Sequence, residues 1–300
     1  MEKYDKPALS LEEGVKWLRE HGVLISESES SHVRRFLKSE TTFRLMHIVK
    51  TSGGALSFTD LRQIYFFDRQ LRNVFLEAFE IIEVQLRNSI VSALMEEPGA
   101  GAFIYESPAI FDQRFLRDHG RWLGDLKLKV EKRSQEGFVS YYKEKYKDDF
   151  PRLPIWAMVE LMTFGELVDF CFNLSMLVKV KIAHNYCIDG RIFVNWLQNF
   201  SDVRNACAHH RILYNKVLNR PHKPLNPGWG DIPDNKVGVV LISLARLLTL
   251  GCGIKDRNKE FLSHWRKRIK KLIDKNKEVP SLMPGYGLPT ELTGSFSVSL

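Results

Sequence analysis

The run Arg204-Asn205-Ala206-Cys207-Ala208-His209-His210-Arg211 holds the residues of this chain best suited to chemistry. Upstream, Ile192, Phe193, Trp196, Leu197, Phe200 and Val203 recur at three- and four-residue steps, so the run reads as the end of an amphipathic helix. Arg204 and His209 are five positions apart, about one and a third turns, so both side chains can reach one substrate group. A permanently charged guanidinium beside an imidazole that titrates near neutrality suits cleavage of a phosphodiester. RNA is therefore the first substrate to consider.

The rest of the chain must position that run. Its 300 residues are 44% hydrophobic with 19 Phe and 6 Trp, enough for a packed core of one or two domains. The formal net charge of +8 favours a polyanionic partner. Cys171, Cys187, Cys207 and Cys252 lie far apart without a CxxC pair, which argues against zinc and against a disulfide framework and fits a reduced, cytoplasmic setting. His184, Asn185 and Cys187 fall short of a four-ligand set, so no metal and no cofactor is expected. The N-terminus lacks the apolar stretch of a signal peptide. Val237 to Ile254 is long and apolar, but Arg246 interrupts it and Gly238, Gly251 and Gly253 flank it; it reads as a buried core helix, not a membrane span.

Helices dominate the pattern. Ser10 with Glu13 has capping-box spacing ahead of Leu11, Val15 and Leu18, and Gly22 closes that helix. A short helical piece runs through Val33, Phe36 and Leu37. The longest helix spans about Leu61 to Met95, capped by Thr59 or Asp60, with a candidate break near Asp68; Pro98-Gly99-Ala100-Gly101 follows as a breaker. The charged stretch from Arg114 to Lys147 is helical and reads as a solvated face. Pro151 and Pro154 open a helix through Trp156 to Gly165, and another follows through Leu167, Phe170, Phe172 and Leu177. Beyond the 204–209 helix, the loop from Pro221 to Pro233 leads to the apolar helix at 237–250 and a basic helix from Phe261 to Asp274. No segment alternates with period two. The expected fold is all-α: residues 1–55 an N-terminal helical extension packed on the core, 56–280 a helical-bundle domain, and 281–300 an irregular tail.

Several strings resemble, in order, those of the abortive-infection (Abi-like) family of bacterial anti-phage proteins, within the HEPN superfamily of helical RNases and RNA-binding domains. They are Lys6-Pro7-Ala8-Leu9-Ser10 with Trp17-Leu18 and Gly22-Val23; Tyr65-Phe66-Phe67-Asp68-Arg69-Gln70-Leu71-Arg72; and Glu80-Ile81-Ile82-Glu83 with Leu86-Arg87. They continue with Pro154-Ile155-Trp156 and Glu160 through Leu167, then Arg204-Asn205 with Cys207-Ala208-His209-His210 and Asn215. The chain departs from the family at Thr42-Phe43-Arg44-Leu45, where an Arg-Tyr-Arg-like string is usual, and at Arg211-Ile212-Leu213-Tyr214-Asn215, where Arg-Leu-Trp-Asn is common.

The resemblance implies a HEPN-like bundle and metal-independent endoribonuclease chemistry in phage defence, with the ribose 2′-hydroxyl as internal nucleophile. Histidine can exchange the protons, and arginine can hold non-bridging phosphate oxygens throughout. Arg204 is then the phosphate clamp and His209 the acid/base, supported by Asn205 and His210. Consecutive helical residues point about 100° apart, so His209 and His210 are not expected to face one phosphate together. Arg211, Asn215 and Arg87 are candidate RNA contacts, although Glu83 and Arg87 also read as an ordinary intrahelical pair. One chain carries one such motif, so the resemblance further implies a homodimer through the 204–209 segment, and restraint by an inhibitory RNA or protein antitoxin. The competing readings are a non-catalytic RNA-binding or RNA-sensing module, and a target of nucleotide transfer with Tyr214 as acceptor.

Overall fold

The computed structural model describes residues 9–225, 232–250, 255–279 and 281–289, and its described elements are almost all helical. The chain is an all-α helical bundle. Near the start, Leu11–Glu20 (α1) carries the capping box in full, with Ser10 N donating to Glu13 Oε2 at 2.6 Å and Glu13 N to Ser10 Oγ at 3.2 Å. The chain turns at Gly22, whose φ of 90° suits glycine. Val23–Leu24 (β1) follows, then Ser30–Ser39 (α2) and Thr42–Thr51 (α3). The last of these buries Leu45, Ile48 and Val49 at helical spacing. Leu56–Ser57 (β2) pairs in parallel with β1, Val23 opposite Leu56, which ties this N-terminal layer to the helix that comes next.

That helix, Phe58–Met95 (α4), runs for 38 residues without a break, about 57 Å at 1.5 Å per residue. Ser57 is its N-cap, accepting from Asp60 N at 3.0 Å, so the cap lies upstream of Thr59 and Asp60. No break occurs at Asp68, because its carboxylate bonds to a distant loop and leaves the local backbone ladder intact. Short 3₁₀ turns lead into Leu116–Lys132 (α5), and Gly137–Lys145 (α6) follows. Ile155–Leu161 (α7) starts after Pro154, and Phe164–Asn173 (α8) opens on a second capping box from Thr163 to Glu166.

The helix expected to run on through Leu177 is in fact two. Leu174 pairs with Phe111, Ser175 N donates to Ile110 O at 2.8 Å, and Ser175 caps Met176–His184 (α9). Backbone pairing with a neighbouring segment has captured the groups that a continuous helix would need. Then come Gly190–Ala208 (α10), Val237–Leu250 (α11), Lys255–Asn276 (α12) and Leu282–Tyr286 (α13).

α4 is the axis: α7, α8, α9, α10, α11 and α12 all pack on it, and α10 also contacts α8, α9 and α11. Phe79 stands between Phe75, Phe164 and Phe200 at ring-centroid separations of 5.8 to 6.1 Å, which locks α4, α8 and α10 together. The buried Trp265 indole donates to Val74 O at 2.8 Å and fixes α12 against α4. α11 is buried along most of its length, and among the described residues no helix is long and apolar enough to cross a membrane.

Residues 282–286 overturn the expectation of an irregular tail from 281 onward. Leu282, Met283 and Tyr286 are buried, and Gly285 lies against the Tyr214 ring. Five residues are too few to display helical periodicity in a sequence, and this helix instead packs its Tyr286 ring on Tyr214 and Phe67. Residues 290–300, residues 1–8 and 226–231 of the Pro221–Pro233 loop lie outside the described residues. A methyl group at position 285 would overlap the Tyr214 ring. Gly285→Ala should therefore lower stability by roughly 1–3 kcal/mol; an unchanged urea midpoint would show that α13 does not pack there.

Candidate functional site

α10 begins where Asp189 Oδ1 accepts from Arg191 N at 2.8 Å and Ile192 N at 3.2 Å. It buries Phe193, Trp196, Leu197, Phe200, Val203, Ala206 and Cys207, so the predicted apolar face holds except that Ile192 is only half-buried. The helix stops after Ala208. His209 is the C-cap, and His210 follows in the left-handed region with φ 54°. Arg211 N donates to Ala206 O at 2.8 Å and His210 N to Cys207 O at 3.0 Å. These two bonds make a Schellman motif, with histidine in the position where glycine is usual.

What bends the chain at that point lies on α4. Asp68, fully buried, accepts through Oδ1 from Leu213 N at 2.7 Å, Tyr214 N at 3.0 Å and the Tyr286 hydroxyl at 3.1 Å. Its other oxygen pairs with the buried Arg72, which also donates to Arg211 O at 3.4 Å. One carboxylate thus gathers α4, the segment after α10 and α13. The string containing Asp68 and Arg72 is a clamp on the segment that follows the histidines.

Two cavities meet at this turn. One, of about 630 Å³, is lined by Phe43, Arg44 and His47 of α3 together with His209, His210, Arg211, Asn215 and Lys216. The other, of about 540 Å³, is lined by Arg44, Tyr65, Arg69, Arg72, Asn73 and His210 among others. Thr41, Arg44 and His210 belong to both. His209 and His210 line the same cavity. The 100° separation applies only within a helix, and the left-handed turn at His210 has already ended this one.

The other expected residues divide. Arg211 is exposed on the first cavity. Asn215 lines it too, but its carboxamide is engaged, donating to Thr51 O at 2.7 Å and accepting from Lys236 Nζ at 3.1 Å; it clips α3 to the loop. Asn205 is half-buried and makes no side-chain hydrogen bond to a described residue, while its carbonyl accepts from His209 N at 3.0 Å. Arg204 lines neither cavity. It faces α4, where Nη2 lies 3.4 Å from Glu83 Oε2, and its side chain is 30% exposed.

Arg87 is corrected from an RNA contact to a structural tie. Its side chain is 11% exposed and donates to Glu83 Oε1 at 2.8 Å, Val159 O at 3.0 Å and Met162 O at 2.9 Å, holding the C-terminal carbonyls of α7. Tyr214 is likewise removed as an acceptor: it is buried and its hydroxyl donates to Ser281 O at 3.2 Å. Burial pushes the Cys207 thiol up to about 12, so it stays protonated at neutral pH and is no nucleophile. Among the described residues, no group of three or more His, Cys, Asp or Glu side chains is placed to hold a metal ion.

Arg44, Arg69 and His47 were not singled out from the sequence. For Arg69 a signal existed: Tyr65, Arg69, Arg72, Asn73 and Leu76 follow helical spacing and so share one face of α4. Arg44 and His47 depend on how α3 docks, which periodicity does not reveal.

The family model described as Abi-like protein matches residues 35–215, from α2 to the clip at Asn215. The chain belongs to the Abi-like protein family. That membership places it in abortive-infection phage defence. No curated protein and no solved structure matches it. The matched span of this Abi-like protein contains Arg44, Arg69, the Asp68–Arg72 clamp, the Glu83–Arg87 pair and the whole 204–215 run.

Asp68→Ala would leave Arg72 buried without its partner and free two backbone N–H groups. A loss of about 3–5 kcal/mol is expected in chemical denaturation, whereas a loss under 1 kcal/mol would mean that the clamp contributes little. His210→Gly should behave oppositely, raising stability by roughly 1 kcal/mol by relieving the left-handed conformation. A clear destabilisation in that variant would contradict the Schellman geometry.

Proposed function

We propose that this Abi-like protein is a metal-independent endoribonuclease of the HEPN kind, acting in abortive infection. The observation that carries this reading is the placement of His209 and His210 side by side on a cavity lined by Arg44, Arg211 and Lys216. In the reaction, the ribose 2′-oxygen attacks the adjacent phosphorus and the bond to the 5′-oxygen breaks. His209 takes the 2′-hydroxyl proton, and a proton returned to the 5′-oxygen leaves a 2′,3′-cyclic phosphate and a 5′-hydroxyl. Proton transfer of this kind contributes about 10²- to 10⁴-fold.

Arg204 is the clamp on the non-bridging oxygens, and Glu83 holds its guanidinium in place until the phosphate arrives. Since Arg204 stands outside the histidine cavity, the reading includes a homodimer that joins two 204–209 segments and so doubles the acid/base groups. Exposed apolar side chains border that face, Phe43 at 80% and Val217 at 56% exposure, as a surface covered by a second copy would have. Restraint by an inhibitory RNA or protein antitoxin, and action on RNA in the cytoplasm, belong to the same reading.

The test is cleavage of RNA by the purified protein in excess EDTA, with the wild type beside Arg204→Ala, His209→Ala and His210→Ala. Cyclic-phosphate ends are expected from the wild type, with rates at least about 100-fold lower for Arg204→Ala and His209→Ala. Wild-type rates in His209→Ala would overturn its role. If every protein binds RNA and none cuts it, the site is a non-catalytic RNA-binding module.

A further inference from the structure

The cavity on the far side of His210 has no part in the bond cleavage described above. Its charged lining is Arg44 from α3, Arg69 and Arg72 from α4, and Glu40. Arg72 is already neutralised by Asp68. Arg44 and Arg69 form no ion pair with a described carboxylate, whereas many arginines of this chain do, among them Arg34, Arg87, Arg152, Arg220 and Arg268. Two guanidinium groups that share a concavity and lack carboxylate partners repel each other, and Glu40 alone among the lining residues opposes them.

An anion bound between them relieves that repulsion, and the planar forks match the oxygens of a phosphate. The Tyr65 ring in the wall is 2% exposed and offers no open face to a base. Two guanidinium forks in one concavity favour a backbone phosphate as the ligand. Arg44 and His210 line both this cavity and the one that holds His209, so one strand can lie in both.

We propose that the Arg44–Arg69 cavity is a second phosphate subsite, holding a backbone phosphate of single-stranded RNA that flanks the one cleaved beside the histidines. The identity of the ligand rests on the endoribonuclease reading; the affinity for a backbone phosphate can be measured without cleavage. Such a subsite raises affinity for longer strands irrespective of sequence and sets the register of the strand over His209.

The test uses the full-length protein and a fluorescent 2′-O-methyl oligouridine, which lacks the nucleophile and cannot be cut. Affinity is measured by anisotropy across a salt series for wild type, Arg69→Gln, Arg44→Gln and the exposed control Arg117→Gln on α5. Arg69 is exposed and makes no side-chain hydrogen bond or ion pair to a described residue, so its variant should fold; thermal melts check this. Loss of one phosphate contact lowers the slope of log affinity against log salt by about 0.7 for a single strand. That reduction is expected for Arg69→Gln and Arg44→Gln but not for Arg117→Gln. Slopes equal to wild type in both folded variants would overturn the subsite, as would absence of oligonucleotide binding. If the slopes fall but natural RNA is never cleaved, the subsite stands and the endoribonuclease reading fails. If RNA is cleaved and the slopes are unchanged, the reverse holds.

Discussion

The Asp68 carboxylate, buried in the N-terminal third of α4, is the constraint on which the site depends. A charge with no solvent exposure persists only when it is paired and its lone pairs are used. Asp68 meets both conditions through Arg72, two backbone N–H groups and the Tyr286 hydroxyl. All the donors but Arg72 come from segments 145 to 218 positions away in sequence, so satisfying one side chain closes three parts of the chain onto each other. The left-handed turn at His210 follows from this. The chain must leave α10 and bring Leu213 and Tyr214 back to α4 within a few residues, and a Schellman turn does so even though a histidine occupies it.

A second polar chain runs farther along α4. Glu83 accepts from Arg87 on one oxygen and lies 3.4 Å from Arg204 on the other, while Arg87 holds the carbonyls at the end of α7. Because Arg87 is anchored at three points, Glu83 has little freedom, and Arg204 inherits a fixed position against α4. The two chains of interactions thus treat the motif residues differently. Arg204 is held through its side chain; His209 and His210 are held through their backbone, which leaves both imidazoles facing the cavity.

Local chemistry made much of this legible from the residues. The capping box at Ser10 and Glu13 requires only four consecutive residues and is present as read. The apolar face of α10 and the buried run at 237–250 were likewise visible, because burial imposes the helical period on the residue types. Readings that needed a partner from elsewhere were weaker. Asp68 looked like a helix breaker since nothing local says that its oxygens are used by residues 213 and 214. Leu174 and Ser175 looked helical since their pairing with the 110–112 segment is invisible along the chain. Arg87 looked available for the same reason.

The sequence by itself determined the all-α class, the helix ends that carry their own caps, the membership shown by strings spread over the chain, and the position of the 204–210 run at a helix terminus. Each of these is a property of neighbours a few residues apart or of residue types in order. Only the tertiary structure decided that His209 and His210 share a cavity, that Arg204 stands apart on Glu83, and that Arg44 and Arg69 join His210 across the gap between α3 and α4. Those facts depend on where helices dock, and docking is set by the summed packing of residues far apart in the chain and by buried charges that must find their partners.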